Sequence, residues 1–510
     1  MWSPRSHSTA SSTDDADAAA GSLSPSTATR STSACWPDRS TQLPTLPTAP
    51  VTGPRAPRAG CDGCSPRHAR PRIANSTGTR SPNSRRPRRR GRCSFAPAER
   101  SLFHRRPRGS PVSAPTAIPP TLSTSETALL TATLPVVGGA IDEITPAFYR
   151  RMFGEHPELL RNLFNRGNQA RGAQQRALAA SIVTYASAIA AGDGTPPMLS
   201  RIAHKHASLG VTEAQYEIVH DCLFAAIVEV LGADVVTPEI AAVWDHVYWL
   251  MAADLIRAEK ELYRQSNVEP GDVFCVARVT NRASDGHDRA VFTLESDDIA
   301  RPLRSYRGGQ YISLGVHLPD GARQLRQFSL VGDGRPERYV VAVERAGGDG
   351  RPDGEVSNFL LDHVFAGDLV DVTVPFGELT LDGTGHSPLV MVAAGIGITP
   401  MLAMLHELAE HDRDRSVHVL HVCESSDTQP LRRELLGALG GLGNATLTGT
   451  AALDPDRLRA VATIDDAHVF LCGGTRFLQG VRDDLRRWNV PEERTHYELF
   501  GPNDWLLGTN

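Results

Sequence analysis

The sequence predicts a multidomain protein with an all-α domain, an antiparallel β-barrel domain and an α/β doubly wound domain, in that order. Three observations predict it: a helical hydrophobic period without strand-like runs before Asn267, short strands separated by Gly, Pro and Asp turns after it, and a repeat of strand, Gly-rich turn and helix from Pro388. The predicted domains are 122–266, 267–384 and 385–510, preceded by a disordered tail over 1–121.

The tail is strongly basic and poor in aromatic residues. Residues 1–120 carry 19 Arg against 6 Asp and Glu, although the whole chain has a formal net charge of −5. Such a segment cannot bury enough apolar surface to offset its chain entropy, so we expect it to be disordered and dispensable. The run from Arg85 to Arg90 leaves two weaker interpretations open, a nucleic-acid arm or part of a transit peptide, and we expect no nucleic-acid partner.

Cysteine usage and hydropathy bear on location. The eight cysteines are scattered, and they form no recognisable disulfide framework. Cys61 and Cys64 make a single CxxC pair with no second pair at zinc spacing, so we expect no zinc site there. The lack of a disulfide framework makes a reducing cytoplasm the expected location. Because the sequence has no run of about 18 apolar residues, we expect no membrane span and no membrane association. We also expect a monomer.

In the all-α domain, helices are predicted over 126–137, 141–154, 172–191, 197–209, 212–231 and 236–265. His204 and His206 share one helix, and at two positions apart they point to nearly opposite sides. Only His206 has the apolar neighbours Ile202 and Leu209 at helical spacing, so it is the candidate ligand for an iron inside the domain. A lone histidine on such a face is more often a core residue, so other residues of the domain must decide whether His206 is a ligand.

Glu259 is the most informative of these other residues in the all-α domain. The neighbours of Glu259 at helical spacing are all apolar: Leu255, Ile256, Leu262 and Tyr263. A carboxylate on such a face needs a partner, because an unpaired buried charge is costly. Glu261, by contrast, has polar neighbours and is expected to be solvated. Tyr149 shares a helix face with Met152 and Phe153, which directs its hydroxyl inward.

The β-barrel domain is predicted from strands at Gln310–Val316, Arg326–Val331, Tyr339–Glu344 and Leu369–Val374. Arg326-Gln327-Phe328-Ser329 fits the flavin signature R-x-[YF]-S, which is weak when it stands alone. Gly309-Gln310-Tyr311 precedes it, and Gly354-Glu355-Val356-Ser357 opens a predicted helix whose free N–H groups suit a phosphate. The three motifs in register indicate a flavin site.

The doubly wound domain is predicted from strands at Leu389–Ala393, Val417–Val422, Val469–Cys472 and His496–Leu499. The sequence Gly395-Ile396-Gly397-Ile398-Thr399-Pro400 joins the first strand to a helix, as a dinucleotide-binding loop does. A glycine-rich loop alone is more often an ordinary turn. Cys472-Gly473-Gly474 and the segment 497–502 add two further motifs at the ends of later strands.

Together these motifs resemble those of bacterial flavohaemoglobins, in which a haem globin is fused to a ferredoxin-reductase-like module for FAD and NAD. In the globin, the resemblance assigns the iron ligand to His206 and the distal pair to Tyr149 and Gln174. It places further residues around the haem: Leu178 over it, Phe164 against the porphyrin, and Lys205 beside the ligand. Behind the ligand it implies a hydrogen-bonded chain in which Tyr216 links Glu259 to His206.

In the reductase, the resemblance assigns the flavin pyrophosphate to Arg326 and the flavin surroundings to its neighbours. The flavin residues are Tyr311, Gln327, Phe328, Ser329, Gly354, Val356 and Ser357. The dinucleotide residues are Gly395, Ile396, Gly397, Ile398, Thr399, Pro400, Cys472, Gly473, Glu498, Leu499, Phe500, Gly501 and Pro502. The chain departs from the family at three positions, with Phe328 for Tyr, Gly474 for Pro and Leu499 for Cys, which affects fine positioning rather than the fold.

The resemblance implies a nitric oxide dioxygenase that contains haem b and FAD and oxidises NO to nitrate with O2 and NADH or NADPH. Glu424, after the second strand of the doubly wound domain, favours NADH if it binds an adenosine ribose, although a solvated loop carboxylate is as good an interpretation. Two alternatives to the dioxygenase stay open: a peroxide or ferric reductase with the same electron path, and a globin that senses O2 or NO.

Overall fold

The computed structural model describes residues 121–170, 172–347, 353–425 and 427–501. The predicted tail therefore lies outside the described residues except for Thr121, as does Pro502 among the predicted site residues. The described chain forms an α-helical domain, a six-stranded antiparallel sheet and a five-stranded parallel sheet in that order, so the predicted fold class is confirmed.

The α-helical domain is built on six long helices that agree with the prediction within a few residues at either end, and on two short ones. These helices are α1 (Thr124–Gly139), α2 (Ile141–Glu155), α3 (Pro157–Asn162), α4 (Arg166–Ala170), α5 (Ala173–Ala191), α6 (Met198–Leu209), α7 (Glu213–Leu231) and α8 (Pro238–Gln265). Ser123 and Glu126 form a capping box at the start of α1, and Thr212 and Gln215 form another at the start of α7. Apolar faces of these helices share one core.

None of the described helices has, by itself, both the length and the apolar character of a membrane span. Helices α1 and α2 reach those limits only when taken together, and the pair is bent by 75° at the break between them.

The antiparallel sheet closes into a barrel. Its strands are β1 (Phe274–Ser284), β2 (Arg289–Ser296), β3 (Tyr311–His317), β4 (Arg323–Ser329), β5 (Tyr339–Glu344) and β6 (Leu369–Thr373). The strand order is β4-β3-β6-β1-β2-β5, and a bridge between Leu330 and Val341 joins the two ends. Helix α9 (Glu355–His363) buries Val356 and Leu360 in the same core. The prediction identified β3 to β6 and missed β1 and β2.

The parallel sheet has helices on both faces. Its strands are β7 (Leu389–Ala394), β8 (Val417–Val422), β9 (Ala445–Thr450), β10 (His468–Gly473) and β11 (Thr495–Leu499), in the order β11-β10-β7-β8-β9. Helices α10 (Thr399–His411) and α11 (Arg432–Gly440) share one core, and α12 (Pro455–Ala462) and α13 (Thr475–Arg487) share the other. The carboxyl ends of β7, β8, β10 and β11 therefore meet at one edge, where a doubly wound sheet binds its ligand.

Helix α6 joins the α-helical domain to the barrel. Ala207 of α6 and Tyr263 of α8 share a buried cluster with Tyr311 and Phe376 of the barrel domain. The side chain of Gln324, on β4, donates hydrogen bonds to backbone carbonyls of α3. The two domains thus have an apolar contact reinforced by hydrogen bonds to main-chain atoms.

Candidate functional site

Three side chains from three helices meet around one nitrogen of His206. Nδ1 of His206 is 2.9 Å from Oε1 of Glu259 and 3.1 Å from the hydroxyl of Tyr216, and that hydroxyl donates to the same Oε1 at 2.5 Å. Glu259 is 2% exposed. Burial, and then the charge of Glu259, raises the pKa of Tyr216 well above its ordinary value, so its hydroxyl stays a donor.

The arrangement is a closed triangle, whereas the sequence predicted a line in which Tyr216 separates Glu259 from the imidazole. The difference arises because α8 packs directly against α6, which brings the carboxylate itself to Nδ1. Within the described residues the structure gives Nε2 of His206 no hydrogen-bond partner. Nε2 lies on the far side of the ring and is therefore the nitrogen that is free to bind an iron.

Tyr149 lies on α2, and its buried hydroxyl is hydrogen-bonded to the side chains of Gln174 and Gln169. Burial raises the pKa of Tyr149, so the phenol remains protonated. Its ring lies 6.0 Å from that of Phe164, edge to face, and Leu178 packs against the same core. The structure thus brings Tyr149 and Gln174 together as predicted partners and adds Gln169, which the sequence analysis missed.

The opposite face of α6 contacts the barrel domain. His204 accepts a hydrogen bond at its Nδ1 from the backbone N–H of Gly377 at 3.0 Å. This contact gives His204 a different partner from His206, as expected for two histidines on opposite sides of one helix. Ser208 accepts from the hydroxyl of Ser313 at 3.1 Å, and Lys205 interacts electrostatically with Arg326 and Glu498. Burial lowers the pKa of Lys205.

Four of the residues predicted around the flavin, Tyr311 and Gln327 to Ser329, lie on β3 and β4, and β3 contacts α6. Tyr311 is buried, and its hydroxyl is hydrogen-bonded to Ser208 of the α-helical domain. Gln327 donates to Ser313 at 3.1 Å, which in turn donates to Ser208. Ser329 is buried, and the ring of Phe328 packs partly into the barrel core. The predicted flavin strand is therefore anchored to the α-helical domain by a chain of hydroxyl groups.

Arg326 lies near a carboxylate that the sequence analysis did not single out. Its Nη2 is 3.8 Å from Oε2 of Glu355, the first residue of α9. Glu355 also forms an ion pair with Arg166 of α4, and Nη1 of Arg166 is 2.6 Å from Asp320. Because Arg166 offsets the charge of Glu355, the N-terminus of α9 remains suited to a phosphate despite the acidic residue.

The other predicted residues of α9 contribute unequally. Gly354 is the residue before the first turn, and a Cβ added there would lie 2.4 Å from Oγ of Ser357. Val356 has no exposed surface and packs in the barrel core, so only its backbone N–H remains for a ligand. Ser357 is half-buried in the first turn of α9, which places a side-chain hydroxyl beside the free N–H groups of that turn.

The predicted dinucleotide loop lies at the carboxyl edge of the parallel sheet. Residues 395–398 form a single 3-10 turn that leads into α10, and Gly395 has a φ of +54°. A Cβ at Gly397 would lie 2.4 Å from the carbonyl oxygen of Cys472, so this position has no room for a side chain. The hydroxyl of Thr399 donates to the carbonyl of Ile396 at 2.9 Å, and Pro400 follows in the first turn of α10. The loop therefore fits a dinucleotide.

Residues 472–501 complete this edge, with different degrees of burial. Cys472 has no exposed surface, a Cβ at Gly473 would approach Phe477 to 2.8 Å, and Leu499 is buried in the core under α12 and α13. Phe500 is 49% exposed and precedes Gly501, the last described residue.

Glu498 faces the α-helical domain from this edge. Burial raises the pKa of Glu498 to about 7, against the opposing charges of Arg201 and Lys205. Arg201 stacks over the ring of Tyr497 at 4.1 Å and pairs with Glu378 at 3.0 Å. Charged residues of α6 thus reach the doubly wound domain as well as the barrel. Glu424, by contrast, is exposed after β8, which leaves its role a prediction.

Two protein families match separate parts of the chain. The globin family matches residues 146–255, and the oxidoreductase NAD-binding domain matches residues 391–483. The chain is 34% identical over 410 residues to the "Flavohemoprotein" of Halalkalibacterium halodurans, covering 76% of this chain and 99% of that protein. It is also 34% identical over 396 residues to that of Rhizobium meliloti, covering 74% and 97%.

A solved structure is similar over the same extent. The flavohemoglobin from Malassezia yamatoensis, with bound FAD and heme, is 34% identical to this chain with a TM-score of 0.68. The match covers 74% of this chain and 100% of that one. The similarity therefore extends over nearly the whole length of each of these proteins.

Proposed function

The chain belongs to the flavohaemoprotein family, and from this premise we propose that it is a nitric oxide dioxygenase that oxidises NO to nitrate with O2 and NAD(P)H. The cofactors of the proposal are haem b and FAD, and the reductase module makes the protein an oxidoreductase. One observation carries the proposal: the buried triangle of His206, Tyr216 and Glu259.

The triangle matters because of what a carboxylate does behind an iron ligand. Glu259 accepts hydrogen bonds from the hydroxyl of Tyr216 and from Nδ1–H of His206, which makes the imidazole a stronger electron donor at Nε2. A strong donor favours activation of oxygen over simple storage of O2. The carboxylate of Glu259 is only 2% exposed, so it needs its two hydrogen-bond partners to offset the cost of desolvation. A globin that only stores O2 would gain nothing from such a buried charge.

When bound, haem would supply the iron at which O2 and NO react, and FAD would accept the hydride of the nicotinamide and pass on its two electrons one at a time, with release of the proton. On the distal side, the hydroxyl of Tyr149 donates a hydrogen bond to the O2 substrate. Gln174 and Gln169 orient that hydroxyl, and Phe164 and Leu178 line the same region with apolar surface that keeps water out. Each of these five distal residues therefore has a proposed task in binding or orienting the substrate.

In the reductase module, Arg326 and the N-terminus of α9 would hold the pyrophosphate of FAD, while Tyr311, Phe328 and Ser329 would lie around its ring system. The turn 395–398 and the first turn of α10 receive the dinucleotide. Fusion of the two modules keeps the electron transfer within one molecule at high effective concentration. One hydride carries two electrons, so one NADH supports two turnovers of NO.

The test is a single sequence of additions to the purified protein. NADH is added without oxygen, the absorption spectrum is recorded, and O2 and NO follow with measurement of nitrate. We expect reduction of flavin and then haem, and two nitrate ions for each NADH oxidised. NADH consumption that depends on peroxide or ferric iron rather than NO would replace the proposal with a reductase. Binding of O2 or NO without turnover would replace it with a sensor.

A further inference from the structure

His421 is a buried imidazole to which the reaction assigns no task. It lies in β8 with no exposed surface, opposite Ala393 of β7 and Gly449 of β9. Both of its ring nitrogens have partners. Nε2 is 2.9 Å from the carbonyl oxygen of Gly395, and Nδ1 is 2.8 Å from the amide nitrogen of Gln429. A polar side chain placed so deeply in a sheet is fixed by these two bonds.

Arg432 determines which atom donates in each bond. Its Nη1 donates to Oε1 of Gln429 at 2.6 Å, and because a guanidinium only donates, the amide oxygen must face Arg432. The amide N–H of Gln429 therefore faces His421 and donates to Nδ1. The proton of the neutral imidazole is then on Nε2, from which it is donated to Gly395. Burial lowers the pKa of His421, which keeps this neutral form in place.

The two partners of His421 belong to two different loops. Gln429, 3% exposed, ends what we term the β8 loop, residues 423–425 and 427–429, which carries Glu424. Gly395 opens what we term the β7 loop, Gly395–Ile398, which is predicted to bind the pyrophosphate of the nicotinamide dinucleotide. Arg289 of β2 holds the β8 loop from the barrel domain, since its Nη2 donates to the carbonyl of Thr428 at 3.0 Å.

The β7 loop is confined on both sides. On the β10 side, Gly397 lies so close to the carbonyl of Cys472 that a Cβ would be 2.4 Å from it. On the β8 side, the hydrogen bond from His421 fixes the peptide of Gly395, whose positive φ sets the direction of the turn. The orientation of the N–H groups that follow Gly395 thus depends on the position of His421.

We propose that His421 is a positioning residue that couples the β8 loop to the β7 loop, so that the adenosine and pyrophosphate parts of a nicotinamide dinucleotide are bound by one connected unit. The inference rests on the proposed placement of the dinucleotide at this edge of the sheet. Its chain of contacts runs from Arg432 through Gln429 and His421 to Gly395. None of these side chains is assigned to hydride transfer itself.

The test uses the full chain with haem and FAD bound, and stopped-flow reduction of the flavin by NADH. His421→Leu and Gln429→Leu each fill the site without hydrogen bonds. Each is expected to raise the apparent Kd for NADH about tenfold, the effect of losing one buried hydrogen bond. The limiting rate of flavin reduction should stay within about threefold of wild type, because the nicotinamide and flavin are not contacted. The double variant should also show about tenfold, since both changes break one chain.

Two further variants separate positioning from general damage. His421→Gln retains an N–H that can reach the carbonyl of Gly395 and should stay within about threefold of wild type in Kd. His418→Leu removes an imidazole from the same strand that is bonded to Thr446 at 2.9 Å instead of to either loop, and should leave Kd unchanged. Flavin and haem absorbance per chain report folding in every variant. If His421→Leu does not fold, Gln429→Leu carries the same expectation with the imidazole in place.

Three results overturn the inference: a wild-type Kd in His421→Leu, multiplication of the two single effects to about a hundredfold in the double variant, or an equal loss of affinity in His418→Leu. Failure of the proposed function is distinguishable from these. A wild-type protein that reduces its flavin with NADH but does not convert NO would refute the dioxygenase and leave the role of His421 intact.

Discussion

The two sides of the proposed haem pocket are built on different principles. On the proximal side, His206, Tyr216 and Glu259 form a closed triangle with distances from 2.5 to 3.1 Å around a buried carboxylate. On the distal side, the hydroxyl of Tyr149 meets the neutral amides of Gln174 and Gln169. A charge fixes the side that holds the iron, whereas the side that must admit and release substrates relies on weaker, neutral partners.

Removal of the proximal histidine should have the largest effect. Replacing His206 with Ala should abolish normal haem ligation, because Nε2 is the nitrogen left free for iron, while flavin reduction by NADH stays nearly intact. The absorption spectrum of the anaerobically reduced protein measures both. His204→Ala is the matched control, since that imidazole contacts Gly377. Loss of the haem spectrum in His204→Ala and its retention in His206→Ala would reverse the assignment.

The distal side should affect how long O2 is held rather than whether haem is present. Tyr149→Phe removes one hydrogen bond to a ligand with charge, worth about 1.5–3 kcal/mol, and should speed O2 dissociation about 10–100-fold. Stopped-flow O2 dissociation measures this directly. Tyr185→Phe provides the control, because the hydroxyl of Tyr185 is bonded to Asp254 at 3.0 Å. Equal rates in wild type and Tyr149→Phe would place Tyr149 away from the substrate.

Removing only the proximal charge should produce a smaller, electronic change. Glu259→Gln keeps the shape of the triangle but weakens its pull on the Nδ1 proton, so the iron–histidine stretching frequency should fall and the ferric/ferrous potential should rise. Resonance Raman of the ferrous protein and a redox titration measure the two. Glu261→Gln is the control, as that carboxylate is exposed and bonded to Arg264. A response to Glu261→Gln alone would mean that the wrong glutamate was assigned.

A carboxyl outside the haem pocket should leave the comparison of its two sides untouched and should change how stability depends on pH. The pKa of Glu498 is raised to about 7 from an ordinary value of 4.5, so the folded protein holds this proton more tightly than the unfolded chain. The resulting stabilisation is fully present below pH 4.5 and is lost as the pH rises through about 7.

Glu498→Gln, which is neutral at every pH, should therefore lose less thermal stability than wild type between pH 5 and pH 8. The expected difference in Tm is about 2–4 °C, read by calorimetry on protein with its cofactors bound. A wild-type Tm that falls no more than that of Glu498→Gln over this range would show that the carboxyl does not titrate there.

The long elements of the fold could be predicted because their periodicity is visible in the sequence. A helix such as α8, with 28 residues, repeats its apolar face many times, whereas α3 and α4, with 6 and 5 residues, are too short for any repeat to emerge. Strand β9 was missed for a related reason. It is an edge strand in which Thr alternates with Ala445, Leu447 and Gly449, and it has no continuous apolar run.

The parts of the site that were missed are contacts between elements far apart in the chain. Glu259 could be singled out because four apolar neighbours surround it on its own helix. The sequence around Glu355 does not indicate its ion pair with Arg166, which is 189 residues away. The sequence around Gly377 likewise does not indicate its hydrogen bond to His204. Local patterns report which way a side chain faces along one element, but they do not report which element it meets there. The direct contact of Glu259 with His206 was missed for the same reason.

The position of helix α6 limits how a globin and a reductase from different relatives can be combined. One of its faces presents His206 to the α-helical domain, and the other places His204, Lys205 and Ser208 against the reductase. A reductase taken from a relative must therefore match a helix that belongs to the globin, down to the backbone N–H of Gly377. Recombination at the domain boundary alone would separate residues that contact each other across it, so the unit that can be exchanged is the whole assembly from α1 to β11.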